Sequence, residues 1–142
     1  MFVETSAFVA LLAGEPDQER IAAAIDGSAG AVTSSVVRLE AVMVLSRELG
    51  VSPDAAQKAF DKLLDAAHIE VLAFTDEMAR NAVMAFSNYG KGPGNKAQLN
   101  LGDCLVYGAA KSRNLPVLFI GNDFTHTDIV SVLTDPSPLS AS

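Results

Sequence analysis

The stretch that decides the fold is residues 99–124, LNLGDCLVYGAAKSRNLPVLFIGNDF. Asn100 is a side chain suited to capping a first helical turn, and the small and apolar residues behind it predict a helix running to about residue 114. Asp103 then falls on the third helical residue, where an acid favours the helix dipole. LPVLFIGN, residues 115–122, is a short apolar run that predicts a buried strand. GNDF, residues 121–124, has the composition of a turn at the end of a strand. A helix feeding a buried strand that ends in an acid-bearing turn is a unit of a parallel α/β sheet.

The same alternation extends back to the start of the chain. MFVE (1–4), AVTS (31–34) and IEVLAF (69–74) read as strands. Between them lie helical stretches: AFVALLAG behind a cap from Thr5 or Ser6, residues 16–27 between Pro16 and Gly27, and residues 34–50 opened by Ser34 or Ser35 and closed by Gly50. Residues 52–67 follow, with Ser52 as cap and Pro53 in the first position, and then 75–89 behind Thr75. KGPGNKAQ, residues 91–98, is a loop, and DPSPLSAS at the end reads as a frayed tail. Parallel strands need right-handed crossovers, so the expectation is an open parallel sheet of four to five strands with helices on both faces. Ligands of such sheets sit beyond the carboxyl ends of the strands, near the point where strand order reverses.

Composition narrows the classes. A chain of 142 residues, 49% hydrophobic, suits one domain with a proper core rather than disorder or a disulfide scaffold. Cys104 is alone, so no intrachain disulfide forms. No apolar run is long enough to span a bilayer, and the start lacks the basic region of a signal peptide, so the expected location is cytoplasmic, with no membrane partner. The net charge of −7 argues against a broadly basic nucleic-acid binder. It permits a nuclease, because carboxylates that hold cations make the metal-free chain more acidic.

Four places carry candidate chemistry: Glu4 at the end of the first strand, Glu40 in the helix after the second, Asp103 ahead of the last strand, and Asn122-Asp123 behind it. Glu40 is the most anomalous, since its helical neighbours are Val36, Val37, Met43 and Val44. A carboxylate on an apolar stripe is costly unless it is paired, with Arg38 or Arg47 for example, or binds metal. Asp103 alone is explained by capping, Glu4 by a surface turn or a cap, and GNDF by turn chemistry. Gathered at one sheet edge, these acids would repel each other, and Mg²⁺ or Mn²⁺ relieves that repulsion because hard cations take carboxylate oxygens. No zinc pattern is present, and His68 and His126 lie far apart in sequence. Such a site suits metal-assisted hydrolysis, in which a bound cation lowers the pKa of a water and stabilises charge on a phosphoryl oxygen.

FVETSAFVALLAGEP, SSVVRLEAVMVL and LNLGDCLVYGAAKSRNLPVLFIGNDFTHTDI together resemble the PIN-domain ribonuclease toxins of the VapC type, in order and spacing over nearly the whole chain. The resemblance implies a single PIN-like domain over residues 1–133 followed by a flexible tail over 134–142. It implies an endoribonuclease dependent on Mg²⁺ or Mn²⁺, the toxin of a type II toxin–antitoxin pair, blocked by a VapB-like antitoxin and assembled as a homodimer. It places Glu4, Glu40 and Asp103 on the first three acids and the fourth within Asn122-Asp123, with Ser6 as a small polar residue beside the cluster. The departure is Glu4, where the family has aspartate. Its extra methylene extends the carboxylate by roughly 1.5 Å, which opens an alternative: an antitoxin-binding module with weak or no nuclease activity. A HAD-like phosphatase would need a second acid two residues after the first, where this chain has Ser6.

Lys91 and Lys96 flank the 91–98 loop and are candidates for contact with RNA phosphate, against the plainer expectation of a solvated loop. The apolar faces of residues 16–27 and 52–67 could form a groove or dimer surface, although packing on the sheet is their simpler use.

Overall fold

The computed structural model describes residues 1–133, so the tail expected over 134–142 lies outside the described residues. In chain order the elements are β1 (Phe2–Val3), α1 (Thr5–Ala13), α2 (Gln18–Asp26), β2 (Ala31–Ser34), α3 (Ser35–Leu49), α4 (Pro53–Ala67), β3 (Ile69–Leu72), α5 (Asp76–Tyr89), α6 (Leu101–Ser112) and β4 (Val117–Leu118). The sheet has four strands in the order β3-β2-β1-β4. All are parallel, in registers such as Phe2↔Val32, Val3↔Leu118 and Ser34↔Leu72. This is the α/β fold expected from the alternation, at the lower end of the expected strand number.

The strand order reverses beside β1. From β1 to β3 the chain steps steadily to one side, and β4 then returns to the other side of β1. Right-handed crossovers place the returning connection, α5 and α6, on the opposite face from the earlier helices. The reversal sets the carboxyl ends of β1 and β4 side by side, where a ligand crevice is expected.

The last strand is shorter than its apolar run. β1 offers only two residues to pair with, so β4 ends at Leu118, and the next free donor, the Ile120 N–H, is taken by Ser6 Oγ at 2.8 Å. Helix starts follow their caps: Ser52 accepts from the Ala55 N–H at 3.1 Å, and Thr75 from the Met78 N–H at 3.2 Å. One reading of local structure changes. Glu4, rather than Thr5 or Ser6, caps α1, because its extended backbone lets its carboxylate reach the Ser6 N–H. His68 ends α4 in the left-handed conformation, φ 54°, and serves as a terminator beside β3.

Phe2, Phe8, Ile21, Phe60 and Leu118 are among the fully buried side chains of the main core. The Phe8 and Phe60 rings stack tilted, with centroids 4.5 Å apart. Ile21 and Ile25 of α2, and Phe60 and Leu64 of α4, are spent in this core, so the apolar faces of both helices pack inward. Most of the exposed large apolar side chains lie on α3 (Leu39, Met43), α5 (Val83, Phe86) and the start of α6 (Leu101). Among the described residues, no helix is long and apolar enough to cross a membrane.

Candidate active site

Four acids from distant parts of the chain line one cavity of about 310 Å³: Glu4, Glu40, Asp103 and Asp123. Each arrives by a different device. Glu4 is the residue at which β1 becomes α1. Its carboxylate Oε2 accepts from the Ser6 N–H at 2.9 Å and from Ser6 Oγ at 2.5 Å. Ser6 therefore holds Glu4 with its hydroxyl proton while accepting from Ile120, which fastens the exit of β1 to the exit of β4.

Glu40 is half-buried on α3, and its Oε1 accepts from the Thr5 hydroxyl. The expected alternative, an ion pair with Arg38, does not form. Arg38 instead pairs with Asp61 at 2.6 Å and lies over the Phe60 ring at 5.2 Å. The helix face around Glu40 is also less uniform than its spacing suggests, with Val37 buried and Met43 exposed.

Asp103 forms a complete capping box with Asn100. The Asp103 N–H donates to Asn100 Oδ1 at 2.9 Å, and the Asn100 N–H donates to Asp103 Oδ2 at 3.2 Å. The cap accounts for the presence of an acid there and also aims it at the cavity. Gly102, just before it, makes room for its neighbour, because a methyl group built on Gly102 would overlap Glu40 Oε2.

The GNDF turn separates its two candidates. Gly121 takes φ +99°, a conformation that favours glycine, and the chain then presents Asp123 to the acid cavity. Asn122 lines a different cavity, together with Asp17 and Arg20. Thr5, Glu15, Glu48 and Asn100 also line the acid cavity; the sequence marks Thr5 and Asn100 only as helix caps and does not mark the two glutamates. Glu48 carried a readable signal, since it lies two helical turns beyond Glu40 on α3.

The electrostatics follow from burial. Glu4 is pushed up to about 7, mainly by desolvation and further by the charges of Glu40 and Asp103, against the pull of its bonds to Ser6. Asp103 is pushed up to about 6, again mainly by burial, with Asp123 and Glu40 adding repulsion while Lys91 pulls the other way. Lys91 itself lines a different cavity, with Leu99 and Asn100, rather than the acid cavity. Lys96 is exposed farther along the 91–98 loop.

The donor set is all oxygen, the chemistry of a hard divalent cation. Glu4, Glu40 and Asp103 each use one carboxylate oxygen in the hydrogen bonds above and keep the other for such an ion. As they stand, no three Asp, Glu, His or Cys side chains among the described residues are arranged to hold one ion together. His68 and His126 are exposed and outside this cavity.

The PIN domain family model matches residues 1–130. The chain belongs to the PIN-domain family. Within it, the chain is similar to ribonuclease VapC30 of Mycobacterium tuberculosis, with 39% identity over 132 residues, 93% of this chain and 98% of that protein. Among solved structures, VapC20 of M. tuberculosis, described as a sarcin-ricin loop cleaving toxin, aligns at a TM-score of 0.71 with 20% identity over 91% of this chain and 95% of that one. A toxin–antitoxin complex from Klebsiella pneumoniae aligns at 0.66 with 13% identity, covering 93% of this chain and 97% of the other. These PIN-domain relatives bear out the resemblance to VapC proteins and the fold it implied.

Proposed function

We propose that this PIN-domain protein is an endoribonuclease, the toxin of a type II toxin–antitoxin pair, hydrolysing RNA phosphodiesters at the acid cavity. The observation that carries the reading is the convergence of Glu4, Glu40, Asp103 and Asp123 on one cavity at the strand-order reversal. The names of the curated relatives as VapC ribonucleases support it.

In this reading the four acids hold Mg²⁺ or Mn²⁺. A bound cation supplies a lower pKa for a water and a counter-charge for a phosphoryl oxygen. The chain's own groups do the rest. Ser6 and Thr5 fix the directions of the Glu4 and Glu40 carboxylates. The α6 cap fixes Asp103, and burial raises the cost of leaving these acids charged without a cation. Lys91, and Lys96 farther out, supply contacts to RNA phosphate at the rim. If replacing both lysines left RNA binding and its salt dependence unchanged, that role would be removed.

Cleavage of a target RNA should require Mg²⁺ or Mn²⁺ and disappear in Asp103→Ala and Glu40→Ala. Equal cleavage by these variants would overturn the reading. A VapB-like antitoxin blocking the cavity and a homodimer complete the proposal. The toxin–antitoxin complex among the solved structures supports the first.

One observation favours a second reading, a PIN-domain module that binds antitoxin but cleaves weakly. One oxygen of the Glu4 carboxylate is tied to both the Ser6 N–H and the Ser6 hydroxyl, which leaves a single oxygen for a cation. Glu4→Asp decides between the two. A large gain in metal affinity and cleavage favours the weak enzyme, and a loss shows that glutamate is fitted to this site.

A further inference from the structure

Asp103, Tyr107 and Lys111 follow one another at four-residue spacing along one stripe of α6. Asp103 faces the acid cavity, while the other two grip a single residue beyond the GNDF turn. The Tyr107 hydroxyl donates to Asp128 Oδ1 at 2.8 Å. Lys111 Nζ pairs with Asp128 Oδ2 at 3.0 Å and donates to the Asp128 main-chain carbonyl at 3.3 Å. The ammonium also lies over the Tyr107 ring, 5.7 Å from its centroid. Asp128 is thus held from two sides by the helix that carries Asp103.

The segment between Asp123 and Asp128 is laced by local hydrogen bonds. The Thr125 N–H donates to the Asn122 carbonyl at 3.1 Å, and the Phe124 carbonyl accepts from the Thr127 N–H at 3.2 Å and from Thr127 Oγ1 at 2.8 Å. The Ile129 N–H returns to Thr127 Oγ1 at 3.2 Å. Phe124 is buried, edge-on against Phe119 with centroids 5.2 Å apart. A grip on Asp128 is therefore carried back along the turn to Asp123, which is itself exposed and held by no bond of its own side chain among the described residues.

We infer that Tyr107 and Lys111, acting through Asp128, are positioning residues that set the placement of Asp123 against Asp103 and thereby the site's affinity for a divalent cation. The cation half of this rests on the metal-site reading under Proposed function. The grip itself rests only on the hydrogen bonds and the ion pair at Asp128. One helix then carries both an acid of the site and the anchor for its opposite wall, so the spacing between Asp103 and Asp123 is referred to a single rigid element.

The test uses the full chain with two readouts. In metal-free protein, Tyr107→Phe and Lys111→Met should each speed amide hydrogen exchange at least fivefold in residues 122–129, with α1 and α3 unchanged. Unchanged exchange in that turn overturns the proposal whether or not the protein binds metal. In Mn²⁺ titrations followed by electron paramagnetic resonance, each variant should weaken binding at least fivefold. Asp123→Ala should weaken it too, and adding Tyr107→Phe to Asp123→Ala should cost nothing further. Independent, multiplying losses would mean that Tyr107 acts elsewhere, and would overturn the proposal. If the wild-type protein bound no Mn²⁺ while exchange rose as expected, the metal-site reading would fall and the anchoring of the turn would stand.

Discussion

Glu4→Gln should make the metal-free protein more tolerant of rising pH. Glu4 is pushed from its ordinary 4.5 up to about 7 by burial at the β1–α1 junction. A carboxyl raised in this way binds its proton more tightly when folded than when unfolded, so stability falls as pH rises between those two values. The full difference corresponds to about 3 kcal/mol, at 1.36 kcal/mol per unit. Glutamine keeps the shape and can still accept from the Ser6 N–H, but it has no proton to lose. Urea denaturation in chelator, repeated from pH 4 to pH 8, measures the comparison. The difference in unfolding free energy between variant and wild type should move by about 3 kcal/mol in the variant's favour across that range. The variant should retain a shallower slope from Asp103, which is raised for the same reason. A variant whose pH profile runs parallel to the wild type would refute the reasoning, because Glu4 would then titrate as an exposed acid despite its burial.

The glycines and the raised acids of the site carry further expectations. Gly102→Ala places a methyl group against Glu40 Oε2, the movable end of a side chain, so it should weaken Mn²⁺ binding and RNA cleavage while changing stability by less than about 1 kcal/mol; calorimetric titration beside thermal melting separates the two effects. Gly108→Ala meets the main chain of α5 at Met78 and Ala82, which cannot swing aside, and should cost about 3 kcal/mol in urea denaturation. Mn²⁺ affinity should rise with pH and level off only above pH 7, because Glu4 and Asp103 must lose their protons to bind. Calorimetry in buffers of different ionisation enthalpy should show proton release on binding near pH 6, and an affinity that is flat from pH 5 to pH 8 would contradict it.

The fold was legible because its signals are local. Asn100, Ser52 and Thr75 announce helix starts within one turn, and the apolar runs at AVTS and IEVL are strands that need no distant partner to be recognised. The site was legible in part for the same reason, since acids beyond strand ends in a parallel sheet can be picked out without coordinates. What the sequence leaves open depends on packing. The bond from Thr5 to Glu40 spans 35 residues and exists only because α1 lies along α3. The choice between Asn122 and Asp123 is made by the backbone turn at Gly121, which composition does not reveal. The extents of β1 and β4 were overread because apolar character extends beyond the ladder that two residues can form.

The Ser6 hydroxyl joins Glu4 to Ile120, which lies 114 residues beyond Ser6, and Asp103 and Asp123 enter the same cavity from late in the chain. During synthesis the first helix and the first acid emerge long before either of their late partners. Until the ribosome has released the chain past the GNDF turn, the acids have no common cavity, and a growing polypeptide carries no assembled site beside the RNA that is making it. The order of residues along the chain thus delays assembly of the acid cavity until the GNDF turn has been translated.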